Sequence, residues 1–238
     1  MEHFSLGHAI TVAACAAITA TAIVLGRRWL ARPETLHLER RMVLGYVVTT
    51  MATQAFIVVW LCWPGNFVPW VSLPLHVCDM AAWIAALALL TSRRGLRAML
   101  YFWGIGLSTQ AFVTPTVSAG PNDLWFWAFW STHLQIVGAA VYDVIARGFR
   151  PAWRDLGIAV FYSSLYGIAM LALNSATGWN YGFLGPARPS APTIIDALGP
   201  WPLRTVWMAL IGYFLFAVLT VVWKRNRVGA GVRGRGGP

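Results

Sequence analysis

Three side chains capable of chemistry lie within four positions of the segment SLPLHVCDM, residues 72–80: His76, Cys78 and Asp79. They stand directly before the strongly apolar run AAWIAALALL. A fourth, His133, lies inside another apolar stretch, FWSTHLQIV. An imidazole that takes the proton of a thiol produces a thiolate, which can attack an acyl carbon. The residue types therefore indicate acyl chemistry with Cys78 as nucleophile and His133 as base, if their two segments meet.

Other polar residues are candidates for supporting such a pair. Residues three apart on a helix share a face, so Asp79 is expected to face His76, whereas Cys78 points to another side. A second group of polar side chains falls in the segments STQAFVTPT and NYGFLGPAR, where it would shape a headgroup-sized substrate site: Gln110, Asn180, Tyr181 and Arg188.

Each of these residues also has a structural interpretation. Cysteine is a common small apolar core residue, and Cys15 and Cys62 are given that role here. His133 fits equally a structural histidine bonded to Gln135 or Tyr142, although ionisable groups within a membrane span are functional candidates by default. Asp79 fits a negative charge favoured by the dipole at a helix N-terminus.

Several other chemistries are disfavoured by the residue inventory. The only lysine is Lys224, so a retinal Schiff base within the membrane has no attachment point. The three cysteines form no CxxC pair, which argues against a thiol oxidase. The spacing of the histidines, Cys78 and Asp79 matches no metal-binding signature, so we expect neither a metal nor a cofactor.

The elements that must position these residues are membrane helices. The chain has 238 residues, of which 58% are hydrophobic and 11% charged, whereas a soluble domain carries roughly a quarter charged residues. Seven apolar runs approach the ~20 residues needed to cross a bilayer. We therefore predict a single all-α domain, residues 1–223, built as a bundle of seven transmembrane helices at about 6–25, 42–63, 73–91, 97–116, 124–146, 156–177 and 201–223. The first run lacks a preceding positive region and is interpreted as a retained span.

The basic residues predict the orientation of this bundle. Sixteen of the 18 lysines and arginines fall after the first, third, fifth and seventh runs, and only Arg188 and Arg204 fall on the opposite side. Cytoplasmic loops carry the excess of positive charge, so the N-terminus is expected outside and the C-terminus in the cytoplasm. This distribution, rather than nucleic-acid binding, explains the net charge of +10. The basic, Gly-rich tail, residues 224–238, is predicted to be disordered and to rest on anionic lipid.

One connection on the outer side is unusually long. The stretch GWNYGFLGPARPSAPTIIDALGPWP separates the last two runs and contains apolar and aromatic residues. Long loops in compact proteins are usually functional or disordered, and this composition favours an ordered cap over the bundle.

Four segments of the chain resemble a known family: LPLHVCDMAAWIAAL, FWGIGLSTQAFVTP, STHLQIVGAAVYDVIARGFRP and NYGFLGPARPSAPTIIDALGPWP. They are similar to the YwaF-type bacterial integral membrane proteins, which are grouped with the transmembrane protein 164 family. The resemblance implies an acyltransferase that moves a fatty acyl chain onto a lysophospholipid through a cysteine acyl-enzyme, with the nucleophile at Cys78 and the histidine at His133. A more distant likeness to membrane hydrolases that use threonine and histidine widens the reaction class to hydrolysis.

The resulting hypothesis is a lipid-acyl enzyme of a bacterial plasma membrane. Its partners would be membrane lipids, with a lysophospholipid or acyl lipid as substrate. The competing hypotheses are a non-enzymatic carrier or binding protein for a small solute or lipid, and a structural or signalling membrane protein. A lateral opening near Cys78 and His133 would favour chemistry, and a central two-sided cavity would favour transport.

Overall fold

The computed structural model describes residues 5–117, 119–187 and 194–232; within the described helices, side chains are described up to residue 223, except those of Ile194 and Asp196. The described part of the chain contains helices and loops but no strand. Its α-helices are α1 (Leu6–Leu30), α2 (Leu36–Cys62), α3 (Val77–Thr91), α4 (Arg94–Met99), α5 (Leu124–Ile145), α6 (Trp153–Thr177) and α7 (Leu203–Val232).

Four of these helical segments are long and apolar enough to cross a membrane: Leu6–Leu30, Pro33–Cys62, Trp153–Thr177 and Leu203–Trp223. Most of their apolar surface points away from the protein, since between 11% and 22% of each apolar window is buried. Exposed surfaces of this size are expected where lipid covers a protein. The all-helical membrane class predicted from composition is therefore confirmed.

The inner part of the bundle is formed by α3, α5 and the chain that follows α4. Five alanines of α3 are completely buried, because this helix is packed between α2, α5 and the segment after α4: Ala81, Ala82, Ala85, Ala86 and Ala88. Small side chains let helix backbones approach closely in a membrane. The Ala-rich run after Cys78 thus places the start of α3 within the bundle rather than at its lipid-facing surface.

The segment after α4 departs from the regular helix that the sequence suggests for residues 97–116. The chain winds as a π-helix over Leu100–Leu107 and as a 3₁₀ helix over Ser108–Phe112. A Cβ atom added at Gly104 would lie 2.8 Å from the Cβ of Ala140, so the π-helix packs directly on α5. π-helical turns are rare and frequently occur at functional sites.

Two predicted boundaries also differ. The third span was predicted to begin at about residue 73, but α3 begins only at Val77, and Pro74 lies in the loop before it. Helix α7 continues past residue 223, where the sequence suggests a disordered tail, and reaches Val232.

One end of the bundle, here called the basic end, is held by ion pairs whose carboxylates are buried. Asp155 at the start of α6 pairs with Arg94, Asp143 near the end of α5 pairs with Arg97 at 2.8 Å, and Glu39 in α2 pairs with Arg147 at 2.8 Å. Because the starts of α2, α4 and α6 meet the end of α5 here, the helical segments run alternately up and down.

Candidate functional site

Cys78 lies in the first turn of α3, at the end of the bundle opposite to the ion pairs. The helix begins at Val77, with His76 as the preceding N-cap residue. Cys78 is half-buried and packs against the core cluster that contains Ala82 and Ile136. The Cys78 thiol makes no hydrogen bond to a side chain in the part of the chain that the structure describes.

His133 is buried within α5, and one ring nitrogen has a defined partner. Its Nδ1 lies 2.8 Å from the carbonyl oxygen of Phe129, and the centroids of the two rings lie 4.2 Å apart with their planes tilted by 38°. A carbonyl oxygen only accepts, so the neutral imidazole carries its hydrogen on Nδ1 and its lone pair on Nε2. This tautomer leaves Nε2 as the basic nitrogen. The prediction that His133 bonds to Gln135 or Tyr142 is wrong. The Tyr142 hydroxyl donates to Glu39, and no described hydrogen bond joins His133 to Gln135.

Helices α3 and α5 run in the same direction and bring Cys78 and His133 to a similar level. Both helices end at the basic end, where the Leu89 carbonyl of α3 accepts a hydrogen bond from Arg147 and Asp143 of α5 pairs with Arg97. Cys78 lies 13 residues before the end of α3 (91 − 78), and His133 lies 12 residues before the end of α5 (145 − 133). No hydrogen bond joins the thiol and the imidazole among the described contacts.

Asp79 caps α3 rather than tuning a histidine ring. Its Oδ2 accepts a hydrogen bond of 2.9 Å from the backbone N–H of His76. The expectation that Asp79 faces the His76 imidazole is therefore wrong, and the helix-terminus interpretation explains the residue. The His76 ring instead faces the long α6–α7 connection, where its Nδ1 accepts the N–H of Gly182 at 3.3 Å.

The first part of that connection, residues 178–187, forms an ordered cap over the start of α3. Tyr181 is completely buried, and its hydroxyl donates to the Pro69 carbonyl at 2.6 Å while accepting the Leu73 N–H at 3.1 Å. Burial raises the pKa of the Tyr181 phenol, which keeps this hydroxyl protonated as a donor. The two segments that carry the family resemblance, LPLHVC and NYGFL, thus meet in space, and the expected cap is confirmed for these residues.

Two of the predicted supporting residues act within the cap itself. Tyr181 exchanges two backbone hydrogen bonds with the amide of buried Asn174, at 2.9 and 2.8 Å. The Asn180 Oδ1 accepts the Gly185 N–H at 2.8 Å and an Arg204 N–H at 3.3 Å. Asn180 and Tyr181 therefore fix the shape of the cap.

The remaining predicted site residues are not brought to Cys78. Gln110 is exposed in the middle of the 3₁₀ helix, and no described side-chain contact supports its assignment as a substrate-supporting residue. The neighbouring Ser108 and Thr109 hydroxyls bond carbonyls of their own helix, at 2.9 and 2.8 Å. Arg188 lies outside the described residues.

Sequence reasoning missed three residues that hold this end of the bundle: Tyr166, Asn174 and Arg204. The Tyr166 hydroxyl donates to the Leu75 carbonyl at 2.9 Å. A Cβ atom added at Gly182 would collide with the Tyr166 hydroxyl oxygen, so Tyr166 also packs directly on the cap. Tyr166 and Asn174 are eight residues apart in α6, a spacing that places both on one helix face. That spacing could have indicated that Tyr166 and Asn174 act together. For Arg204 the only signal in the sequence was its position outside the four arginine-rich regions.

Two apolar cavities flank α1, with volumes of about 170 and 400 Å³. The larger is bounded by α1, α5 and the 3₁₀ helix, with Cys15, Phe112 and Val141 among its lining residues. Neither cavity reaches Cys78 or His133. Both are suited to hydrocarbon, because their walls are almost entirely apolar.

These features define a helical integral membrane protein with a thiol and an imidazole near one capped end of its bundle. The chain matches the TMEM164 family over residues 3–220 and belongs to that family. Comparison with curated proteins and with solved structures gives no match.

Proposed function

We propose that this protein is a membrane enzyme of lipid acyl chemistry that works through a cysteine acyl-enzyme. The observation that carries the proposal is the parallel packing of α3 and α5, which puts Cys78 and His133 at a similar distance from the basic end. The proton on His133 Nδ1 leaves Nε2 free to act as a base, which also supports it. The reaction is either transfer of a fatty acyl chain to a lysophospholipid or hydrolysis of an acyl ester.

The proposed steps balance with these two groups alone. His133 Nε2 takes the Cys78 proton, and the thiolate adds to the carbonyl carbon of the acyl ester. The tetrahedral adduct collapses to a thioester, while the imidazolium returns its proton to the departing alkoxide. A lysolipid hydroxyl or water then loses a proton to His133 and attacks the thioester, and the proton returns to sulfur. Catalytic hydrogen bonds often tighten only in the substrate complex, so the proposal requires thiol and imidazole to meet there.

We further propose seven membrane passes, with the N-terminus outside and the C-terminus in the cytoplasm of a bacterial plasma membrane. The alternation of helix ends at the basic end supports an odd number of passes. The gathering of arginines at that end supports its cytoplasmic placement. In this arrangement α3 begins near the outer surface, where a substrate lipid would enter sideways from the outer leaflet.

The test uses a fluorescent acyl lipid and the protein in lipid nanodiscs. We expect a hydroxylamine-sensitive acyl adduct on Cys78, absent in Cys78→Ala. His133→Gln should slow its formation by about 10²–10⁴-fold, because general-base catalysis is lost. Cys15→Ala and Cys62→Ala are matched controls that remove a thiol elsewhere and should label normally. Labelling that persists in Cys78→Ala would refute the assignment of the nucleophile.

One observation favours a second function, a non-enzymatic carrier or binding protein for lipid. The two cavities beside α1 are apolar and separate from Cys78 and His133. A lipid-binding protein would keep full lipid affinity and show no acyl adduct in either the natural protein or Cys78→Ala. The adduct therefore distinguishes the two functions.

A further inference from the structure

Arg204 is a buried cation whose surroundings contain no described counter-charge. It lies at the start of α7 and is only 5% exposed. Every ion pair among the described side chains involves Arg94, Arg97 or Arg147 at the opposite end of the bundle. A buried charge is costly unless it is paired. The guanidinium therefore needs an anion from elsewhere.

The described contacts of Arg204 use only one of its three guanidinium nitrogens. Nη2 donates to the carbonyls of Gly185 and Ala187 and to Asn180 Oδ1, which are all neutral acceptors of the cap. Nε is buried without a hydrogen-bond partner, and Nη1 makes no hydrogen bond to a described residue. Nε and Nη1 therefore remain as single donors, and a phosphate oxygen accepts a strong charge-assisted hydrogen bond from such a guanidinium N–H.

The position of Arg204 in α7 adds to this imbalance. The N-terminus of a helix carries a partial positive charge, so a cation in the first turn is disfavoured and an anion is favoured. Helix α7 has no acidic residue in its first turn. The dipole and the guanidinium therefore act together on the same location.

We propose that Arg204, held by the cap, binds a phosphate group, supplied by a lipid headgroup or as free phosphate. The site deepens the proposed function and rests on it for its purpose, because the cap that Arg204 clamps also contacts His76, two residues from Cys78. A headgroup phosphate at Arg204 would hold the ester-bearing part of a lipid at the capped end of the bundle. Selectivity for phosphate-bearing lipid over neutral lipid would then reside in Arg204.

The test measures binding in a Cys78→Ala background, where no turnover occurs. The full chain in uncharged detergent is titrated with lysophosphatidylcholine and with a monoacylglycerol of the same acyl chain. We expect the phosphate-bearing lipid to bind at least about tenfold tighter. Arg204→Gln, whose amide can still donate to the cap carbonyls, should reduce this ratio to near one. Arg28→Gln removes an exposed charge at the basic end and should leave the ratio unchanged.

A second measurement keeps the proposal testable if Arg204→Gln does not fold. Hydrogen exchange of the Cys78→Ala parent should slow in residues 178–187 and 201–206 when lysophosphatidylcholine binds, and not with monoacylglycerol. The same protection by millimolar inorganic phosphate identifies the phosphate group as sufficient, whereas protection by the lipid alone identifies a headgroup. Equal affinity for both lipids, or an unchanged ratio in folded Arg204→Gln, overturns the site. A normal ratio without any acyl adduct would refute the acyl enzyme and leave the phosphate site standing.

Discussion

Removing one hydroxyl should open the cap over Cys78. In Tyr181→Phe, the Pro69 carbonyl and the Leu73 N–H lose the partner that they share at 2.6 and 3.1 Å. Leaving a buried polar group without a hydrogen bond costs about 1–3 kcal/mol. Both backbone groups are partly buried, so we take the lower limit for each and expect closure to weaken by about 2 kcal/mol.

The assay is the rate at which a maleimide modifies Cys78 in a protein whose other two cysteines are alanine. If modification requires the cap to open, its rate follows the population of the open state. A change of 2 kcal/mol corresponds to a roughly 30-fold faster reaction, because 1.4 kcal/mol is tenfold. Tyr162→Phe is the matched control, since the Tyr162 side chain is 50% exposed on the outside of α6.

The result that would refute this reasoning is a rate for Tyr181→Phe within about twofold of its parent, a difference of only ~0.4 kcal/mol. The cap would then not be held closed by the Tyr181 hydroxyl. Faster labelling together with an unchanged unfolding temperature would support the prediction, because it locates the effect in local opening of the cap and not in unfolding of the whole protein.

Two further predictions concern the cap and the orientation. A Cβ at Gly185 would lie 1.8 Å from the Trp179 carbonyl oxygen. Gly185→Ala should therefore destabilise the protein by about 3 kcal/mol and lower its unfolding midpoint by about 6–12 °C. Gly167→Ala is the control, because a Cβ there meets nothing within 4 Å and should change the midpoint little. Cys62 is exposed at the end of α2, so a membrane-impermeant maleimide should label it on intact cells, and labelling only after permeabilisation would reverse the proposed orientation.

The sequence predicts the helices well because lipid leaves the chain few alternatives. Backbone groups in a bilayer must bond within their own helix, so long apolar runs become helices. The winding of the chain at Leu100–Leu107 was not predictable in the same way. Close packing of Gly104 on Ala140 and bonding of Trp103 to Ser163 at 2.8 Å are tertiary contacts, and local sequence does not contain them.

The candidate site was predictable in its residue types but not in its arrangement. Cys78 and His133 stand out because polar groups are rare inside apolar runs. The contact between His76 and the cap joins residues 106 positions apart, and no periodicity indicates such a pairing. Two roles stayed open for Asp79, because a residue three positions after an N-cap can bond either the N-cap side chain or its backbone. The structure selects the backbone.

Buried polar and charged groups are paired differently at the two ends of the bundle, and this difference favours a function at the capped end. At the basic end, the buried carboxylates of Glu39, Asp143 and Asp155 each meet an arginine. Removing one partner of such a pair leaves a buried charge, so these pairs hold the fold at this end. At the capped end no ion pair forms among the described side chains, and the Arg204 cation and the His133 base keep unused hydrogen-bonding capacity. Unused capacity in a buried place costs stability, and a protein retains it where a substrate completes the interactions. The capped end is therefore where lipid chemistry should be sought, and substitutions there should alter reaction before they alter folding.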